Sequence, residues 1–556
     1  MKYVIIGGVA GGATAAARLR RLDENCEIVM FEKGEHISYA NCGLPYYIGD
    51  TITEKKNLLL QTPVSFGNRY DVDVRVRSEV TAIHPESKTV SVRNLINNKE
   101  YQEDYDKLIL SPGANPIVPL LPGIASPRIL TLRNVHDTER IKEYVSAVYS
   151  KLKKVVVVGA GFIGLEMVEN LKKTGFHVSL VEKASQVMTT VDAPTAAMVQ
   201  KQLKEQQVEV MLQTEATAFE TKEDHIVVSL SNGQQIEADF VILSMGVRPN
   251  TTLAKDAGIR IGVAGGIWVN EYLQSSNPDI YALGDAIEFP HPLSKIPYCC
   301  YLAGPANRQA RICADNIVLG NKEKYRGSIT TAIAKVFDLT VGSAGLSEHY
   351  LQKNNIPYLT SITHPFSHAT YYPGAKQMSI KINFAPESGQ LLGAQIVGME
   401  GVDKRLDMMA SVMSRGGSVY ELADIEHAYA PPYSSAKDPV AYAGYVAENI
   451  LTHRVVPMQW DELQAILSKQ GWQDEYFLLD VRSAMEVKNG MIEGAVNYPV
   501  DELREFVDEI PEDKKIIIYC AVGLRGYIAS RILMQSGFEQ VYNLSGGYKT
   551  YQLMMN

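Results

Sequence analysis

Two stretches of this chain read as an apolar strand, a glycine-rich turn and a helix, and they begin about 150 residues apart. The first is Val4-Ile-Ile-Gly7-Gly8-Val9-Ala10-Gly11-Gly12, followed by an Ala/Arg-rich helix and then Ile28-Val-Met-Phe-Glu32. The second is Val155-Val-Val-Val-Gly159-Ala-Gly161-Phe162-Ile163-Gly164, followed by a helix and then Val178-Ser-Leu-Val-Glu182. Each is a β–α–β unit whose second strand ends on an acidic residue. In the second, Gly159 allows the tight turn, Gly161 lets the backbone approach a pyrophosphate, and Gly164 packs helix on strand. The phosphates would sit at the helix N-terminus, beside Phe162 and Ile163. Glu182 stands where a carboxylate accepts hydrogen bonds from a ribose 2′-OH. That favours NADH, because a 2′-phosphate would be repelled; NADPH is the alternative, since Lys183 is adjacent. The first loop departs from the pattern at Val9, and Gly8 and Gly11 supply the close approach instead. Two dinucleotides are predicted, one per domain.

The chain has 556 residues, enough for three or four domains at roughly 150 each. Asn277-Pro-Asp-Ile-Tyr-Ala-Leu-Gly284-Asp285 reads as a short strand ending in a Gly-Asp turn. From about 327 to 447 the pattern is α+β, with a strand pair near 378–397. After about 457 a separate α/β unit restarts, with Phe477–Asp480 and Ile516–Tyr519 as buried strands and Val455-Val-Pro457 as the linker before it. A net charge of −9 argues against nucleic acid as the main partner. No run reaches the roughly 20 apolar residues of a spanning helix, and Met1 leads straight into a strand, so neither a membrane span nor a signal peptide is expected. Six cysteines without zinc-like spacing predict no metal site and a reducing cytoplasm.

Cys42, in Ser38-Tyr-Ala-Asn41-Cys42-Gly43-Leu-Pro45-Tyr-Tyr47, has no second cysteine nearby. The place where a Cys-x-x-x-x-Cys pair would close is Tyr47. A redox-active Cys42 must therefore make its disulfide with something outside its own loop, such as a small thiol or a persulfide. To attack sulfur it must be a thiolate, which a helix N-terminus would favour. Cys299-Cys300, in an apolar run, reads as two buried small hydrophobes; Cys26 and Cys313 read as packing residues.

The order of glycine loop, Cys42 segment, Ser111-Pro-Gly113-Ala-Asn, complete glycine loop and Tyr-Ala-Leu-Gly284-Asp285 resembles the two-dinucleotide flavoprotein disulfide reductases over about residues 1–447. The resemblance implies an α/β chain with two Rossmann-like dinucleotide-binding domains and an α+β dimerisation domain. FAD-binding segments would span 1–149 and 267–326, an NAD(P)H-binding domain 150–266, and the dimerisation domain 327–447. FAD would be held by Gly7, Gly8, Val9, Ala10, Gly11, Gly12, Glu32, Lys33, Gly113, Gly284 and Asp285. NADH would be held by Gly159, Gly161, Phe162, Ile163, Gly164 and Glu182.

Within that family, glutathione-reductase-like members carry the cysteine pair that Tyr47 rules out. NADH peroxidases and oxidases carry a His in the first loop where this chain has Ala10. The remaining single-cysteine branch, the coenzyme A-disulfide reductases, is matched by Asn41-Cys42-Gly-Leu-Pro-Tyr, by His368-Ala-Thr-Tyr371-Tyr372-Pro-Gly and by Ala428-Tyr429-Ala-Pro-Pro-Tyr433-Ser-Ser-Ala-Lys437-Asp. That branch implies Tyr371 and Tyr429 as proton donors from a partner subunit. It implies a coenzyme A site of Thr14, Arg18, Arg21, Ser38, Asn41, Asn307, Tyr433 and Lys437. Arg18 and Arg21, three apart on a helix, share a face; without the resemblance they would read as a solvated helix surface.

Cys520 opens Cys520-Ala-Val-Gly523-Leu-Arg525-Gly526 between a strand and a helix. Such a turn surrounds sulfur with backbone N–H groups and would stabilise a thiolate or a persulfide anion. Together with Leu479-Asp480-Val-Arg482, Glu486, Gly490 and Leu544-Ser-Gly-Gly547, it resembles a single-domain rhodanese over 457–556, with Asn489 where many relatives carry His. Cys520 would accept sulfur and Arg525 would belong to its loop. The whole resembles a fused coenzyme A-disulfide reductase–rhodanese, an FAD-dependent homodimer that reduces CoA persulfide, polysulfide or disulfide with NADH. The alternatives are an NADH oxidase or peroxidase with an accessory sulfur carrier, and a thiol redox sensor.

Overall fold

The computed structural model describes residues 1–146 and 153–555. By contacts the chain forms two compact units, residues 1–185 with 207–330 and residues 186–206 with 331–556.

The first unit holds two five-stranded parallel sheets. One runs in the order Ile280–Ala282, Lys107–Leu110, Lys2–Ile6, Glu27–Phe31, Asp73–Arg75. The other runs Glu209–Met211, His177–Val181, Lys154–Val158, Phe240–Leu243, Ile129–Thr131. Their central strands, Lys-Tyr-Val-Ile-Ile and Lys-Val-Val-Val-Val, are buried after the first residue. Parallel strands covered on both faces need such unbroken apolar runs. In-register pairing of Lys2–Ile6 with Glu27–Phe31 brings Gly7 and Glu32 to the same sheet edge. Three-stranded antiparallel sheets (Ser78–His84, Thr89–Asn94 and Glu100–Asp104; Ala216–Thr221, Ile226–Leu230 and Gln235–Ala238) accompany the two parallel ones.

Glycine is required where each first strand meets its helix. Gly7 has φ +98°, and a Cβ there would lie 2.1 Å from Ser111 O. A Cβ on Gly12 would lie 1.8 Å from Gly7 O. The Ala10–Leu22 helix thus rests directly on the strand end.

The second unit contains an antiparallel sheet ordered Ala332–Val336, Leu339–Gly345, Leu391–Gly398, Ser379–Phe384, Leu359–Thr363. The strand pair expected near 378–397 is its centre. Helix Val402–Ser414 packs on this sheet and carries Arg405, which is 2% exposed. Arg405 donates from one Nη to Ser367 O (2.8 Å), Tyr433 O (3.4 Å) and Asp438 Oδ2 (3.1 Å). Asp438 also accepts from Ser434 Oγ (2.6 Å) and caps the Pro439–Leu451 helix through Val440 N (2.9 Å). Two surface segments, at 367–372 and 428–437, are therefore anchored to one buried ion pair.

The same unit contains a parallel sheet ordered Val456–Met458, Val541–Leu544, Lys515–Tyr519, Tyr476–Asp480, Val496–Asn497. The expected linker at Val455-Val-Pro457 is corrected here: Val456–Met458 is the edge strand of this sheet. Proline is tolerated because an edge position spares its missing N–H. Ile362 N donates to Ser545 Oγ (3.1 Å), and His364 Nε2 lies 2.9 Å from Thr550 Oγ1, joining the two sheets' domains. Burial holds the His364 imidazole neutral, down to about 3. Among the described residues no helix is long and apolar enough to cross a membrane, and no group of three or more His, Cys, Asp or Glu side chains could hold a metal ion.

Burial pushes the Asp438 carboxyl up, but hydrogen bonds from Ser434 and Val440 and the Arg405 charge outweigh it, leaving it below the usual carboxylate range. Its contribution is therefore present at neutral pH and lost as pH falls through the lowered folded value. Asp438→Asn is expected to cost about 3 kcal/mol at neutral pH, because it leaves Arg405 buried without its counter-charge. Unfolding followed in denaturant across pH should show the gap to wild type shrinking below the ordinary carboxylate range.

Candidate active site

Both glycine loops end in helices with open N-termini. Helix Ala10–Leu22 starts after Val9 and helix Phe162–Lys173 after Gly161, each with no side-chain cap and no acidic residue in its first turn. A Cβ on Gly161 would meet nothing within 4 Å, so this glycine faces open space rather than packing. Uncapped N–H groups suit a pyrophosphate at both loops. Glu32 accepts from Gly8 N (2.9 Å) and Gly34 N (2.8 Å), and Glu182 from Ala160 N (2.7 Å) and Ala184 N (2.8 Å). Each carboxylate is thus fixed at the lip of its loop. Lys33 and Lys183 beside them are exposed and paired with Glu79 (2.7 Å) and Glu215 (3.0 Å). Gly284 and Asp285 form a 3-10 turn after strand Ile280–Ala282. Arg133, which the sequence reading missed, reaches Asp285 at 3.4 Å, and a Cβ on Gly113 would meet Arg133 Nη2 at 2.6 Å.

Cys42 lies in the 3-10 turn Asn41–Gly43, just before helix Leu44–Ile48, which packs on helix Phe162–Lys173. The same thiol therefore neighbours the second loop's helix and the Asp285 turn. Cys42 is exposed, yet the sulfur sits in a recess: burial is the largest influence pushing its thiol up, followed by Glu166 and Asp285. The chain's own charges thus hold the proton on, contrary to the expected gain from a helix N-terminus, because the helix is five residues long and two carboxylates lie close. Glu166 is pushed up to about 7 by burial and Glu169, while a hydrogen bond from Tyr46 draws it back. No local sequence signal marked Glu166 as a neighbour of Cys42, since the two are brought together only by helix packing.

Ser38 N bonds Gly8 O (2.9 Å), and Asn41 Oδ1 is buried with no hydrogen-bond partner among the described residues. An unpaired buried carbonyl oxygen calls for an outside donor. Thr14 Oγ1 donates to Asn307 Oδ1 (2.6 Å) between packed helices Ala10–Leu22 and Ala303–Leu319. Arg18 Nε is paired with Asp315 (2.6 Å), whereas Arg21 is exposed.

In the second unit Tyr371 and Tyr429 meet hydroxyl to hydroxyl at 2.8 Å while remaining 74% and 48% exposed. A cavity of about 450 Å³ beside Tyr429 and Tyr433 is lined by His368, Lys404 and Arg405. Tyr433 and Lys437 are exposed on the same loop. Arg405 and Asp438 position this loop and were not legible as site residues, because a buried ion pair formed across the fold leaves no local motif.

Cys520 follows strand Lys515–Tyr519 and is 1% exposed; its sulfur accepts from Gly523 N at 3.1 Å. Helix Leu524–Gln535 starts immediately afterwards, capped by Gly523 at φ +111°. Arg525 forks onto Glu486 (2.7 and 2.6 Å), and that hydrogen bond is the main reason the carboxyl falls to about 2. Tyr548 N and Lys549 N bond Cys520 O (2.8 Å) and Ala521 O (3.0 Å), so the segment after Gly547 holds the loop. Burial, then the nearby Cys520 sulfur, push the Tyr442 phenol up, which marks this residue of helix Pro439–Leu451 as a neighbour the sequence reading missed. Cys26 and Cys313 are buried as expected, but Cys299 and Cys300 are only half-buried, because Cys299 ends the edge strand Pro297–Cys299.

The pattern of the pyridine nucleotide-disulphide oxidoreductases matches residues 1–305, that of their dimerisation domain 331–440, and that of rhodanese-like domains 459–554. A coenzyme A disulfide reductase of Staphylococcus aureus (strain bovine RF122 / ET3-1) is 36% identical over 449 residues, covering 80% of this chain and 100% of the relative. Reduced Bacillus anthracis CoADR-RHD has a TM-score of 0.96 at 48% identity, covering 100% of this chain and 98% of that one. An NAD-dependent persulfide reductase from A. fulgidus has a TM-score of 0.91 at 35% identity, covering 99% of this chain and 100% of that one. The chain therefore belongs to the pyridine nucleotide-disulphide oxidoreductases, in the branch that joins a coenzyme A disulfide reductase core to a C-terminal rhodanese-like domain.

Proposed function

We propose that this chain reduces coenzyme A persulfide, polysulfide or disulfide with NADH, through Cys42 as its single redox thiol, as an FAD-dependent homodimer of a reducing cytoplasm. The observation that carries this is Cys42 itself: a free, exposed thiol with Tyr47 where a partner cysteine would stand. The names borne by the S. aureus, B. anthracis and A. fulgidus relatives support the same substrate class. FAD would lie along Gly7–Gly12, Glu32, Lys33, Gly113, Gly284 and Asp285, and bound there it supplies the two-electron relay between NADH and Cys42. NADH would lie along Gly159–Gly164 and Glu182. The pairing of Lys183 with Glu215 leaves Glu182 as the charge facing a ribose and supports NADH over NADPH.

In this mechanism the Cys42 thiolate attacks the CoA sulfur of a persulfide. A bond forms between the two sulfurs, the persulfide S–S bond breaks, and hydrosulfide leaves with the electron pair. With CoA disulfide the leaving group is the CoA thiolate. Tyr371 and Tyr429, from the partner subunit, hold a proton for the departing sulfur; their mutual hydrogen bond leaves one hydroxyl hydrogen free to be donated. Thr14, Arg18, Arg21, Ser38, Asn41, Asn307, Tyr433 and Lys437 would bind CoA, with the unpaired Asn41 oxygen available to an amide N–H. Cys520 would load or deliver sulfane sulfur, and Arg525 fixes its loop through Glu486.

Cys42→Ser should lower NADH-dependent turnover of every sulfur acceptor by at least about a hundredfold while leaving FAD content unchanged, read from steady-state rates and the flavin spectrum. The Tyr371→Phe/Tyr429→Phe double variant should keep the Cys42 thiol reactive and lose about ten- to a hundredfold in turnover. Glu166→Gln removes a neighbouring negative charge, so alkylation of Cys42 should set in at lower pH than in wild type. An unchanged alkylation profile would remove Glu166 from the control of this thiol.

A further inference from the structure

The sulfur of Cys520 meets two donors of its own loop, Gly523 N at 3.1 Å and the Arg525 guanidinium that also holds Glu486. A third group approaches from elsewhere. Helix Pro439–Leu451 precedes the span matched as rhodanese-like, residues 459–554. Two contacts lay it along helix Leu524–Gln535. Tyr527 Oη donates to Asn449 Oδ1 at 3.4 Å, and Arg531 Nη1 donates to Arg454 O at 3.0 Å. Both pairs advance in the same direction along the chain. The loop before Tyr527 therefore lies beside residues earlier than Asn449. Tyr442 precedes Asn449 by seven residues, which is two helical turns and the same face. The packing that seats Tyr527 thus aims Tyr442 at the loop running from Cys520 to Gly523.

The electrostatics agree with that placement. Burial, and then the Cys520 sulfur itself, push the Tyr442 phenol up, so it keeps its hydrogen at neutral pH. Among the described residues no hydrogen bond occupies its hydroxyl. A half-buried phenol with a hydrogen to give stands beside a sulfur whose own residue is almost wholly buried. Tyr445, one turn further along the same helix, is the more exposed of the two.

We propose that Tyr442 is a catalytic residue of the sulfur site, a phenol from outside the rhodanese-like domain that donates its hydrogen bond to Cys520 Sγ as that sulfur departs as a thiolate. The proposal rests on the reading of Cys520 as a sulfane-sulfur carrier and adds a residue to that site. In the loaded state Sγ is the inner, uncharged sulfur of a persulfide. When a nucleophile takes the outer sulfur, the S–S bond breaks and its electron pair stays on Sγ. Negative charge therefore develops at Sγ, and a donor already aimed there stabilises the transition state more than the loaded state. With cyanide as acceptor, a C–S bond forms to the outer sulfur and thiocyanate leaves. The persulfide hydrogen passes to water, and no outside oxidant or reductant is needed. The phenol shares its hydrogen throughout and does not ionise, because a neighbouring thiolate makes its loss still harder.

The test loads full-length protein with inorganic polysulfide in the absence of NADH and removes the excess. It then follows loss of one sulfur mass from the Cys520 peptide after adding cyanide or, separately, sulfite. Tyr442→Phe removes only the hydroxyl. It should load to the wild-type extent and discharge at least about tenfold more slowly, by the same factor with either acceptor, since the departing sulfur is common to both. Tyr445→Phe, the same change one turn away, should discharge within about twofold of wild type. Wild-type discharge by Tyr442→Phe, equal slowing in Tyr445→Phe, or slowing confined to one acceptor would each overturn the proposal. So would a Tyr442→Phe protein that takes up no sulfur, because a hydroxyl that meets only the departing sulfur is not needed to build the loop. The two levels separate in the wild-type control. If polysulfide leaves no extra sulfur on its Cys520 peptide, the carrier reading falls and the role of Tyr442 with it; if it loads and Tyr442→Phe discharges normally, only the role of Tyr442 falls.

Discussion

Everything in the first unit depends on how closely a helix can sit on the end of a parallel strand. Gly12 lies so near the carbonyl of Gly7 that no side chain fits between them, and Gly164 repeats the contact against Gly159. Both helices begin with N–H groups that no side chain caps, the partial positive charge that phosphates need. The close approach also fixes the position of Cys42. The short helix that follows this thiol packs on the helix of the second loop, so one sulfur lies beside the elements that would hold both dinucleotides.

The electrostatics around that sulfur are not those of a preformed thiolate. Burial, Glu166 and Asp285 all favour the protonated form. In the second unit the surroundings of Cys520 differ. There the sulfur accepts a backbone N–H, and the one arginine of its loop is neutralised by Glu486. The proposed division of work, electron transfer at Cys42 and sulfur carriage at Cys520, sets an exposed sulfur beside a buried one.

Much of this was legible in the sequence, because it is local. Strand, glycine loop, helix and acidic strand end follow one another within about thirty residues, and each obeys a short-range rule. The isolation of Cys42 could be read from a single tyrosine at position 47. What the sequence did not display is long-range. Arg405 and Asp438 lie 33 positions apart, and their value comes only from a shared buried pocket that no local pattern encodes. Glu166 becomes a neighbour of Cys42 by helix packing alone, and Tyr442 becomes a neighbour of Cys520 by domain packing. Val455–Pro457 looked like a linker because proline and valine in a short run carry no periodicity. An edge strand of three residues needs none.

The central claim is that the sulfur partner of Cys42 comes from outside the chain. The most direct measurement is mass spectrometry of the oxidised protein, digested without reductant, together with identification of the thiol that a reductant releases. The account predicts a Cys42 peptide carrying CoA as a mixed disulfide and release of CoA on reduction. A Cys42 peptide disulfide-linked to any other cysteine of the chain would contradict it.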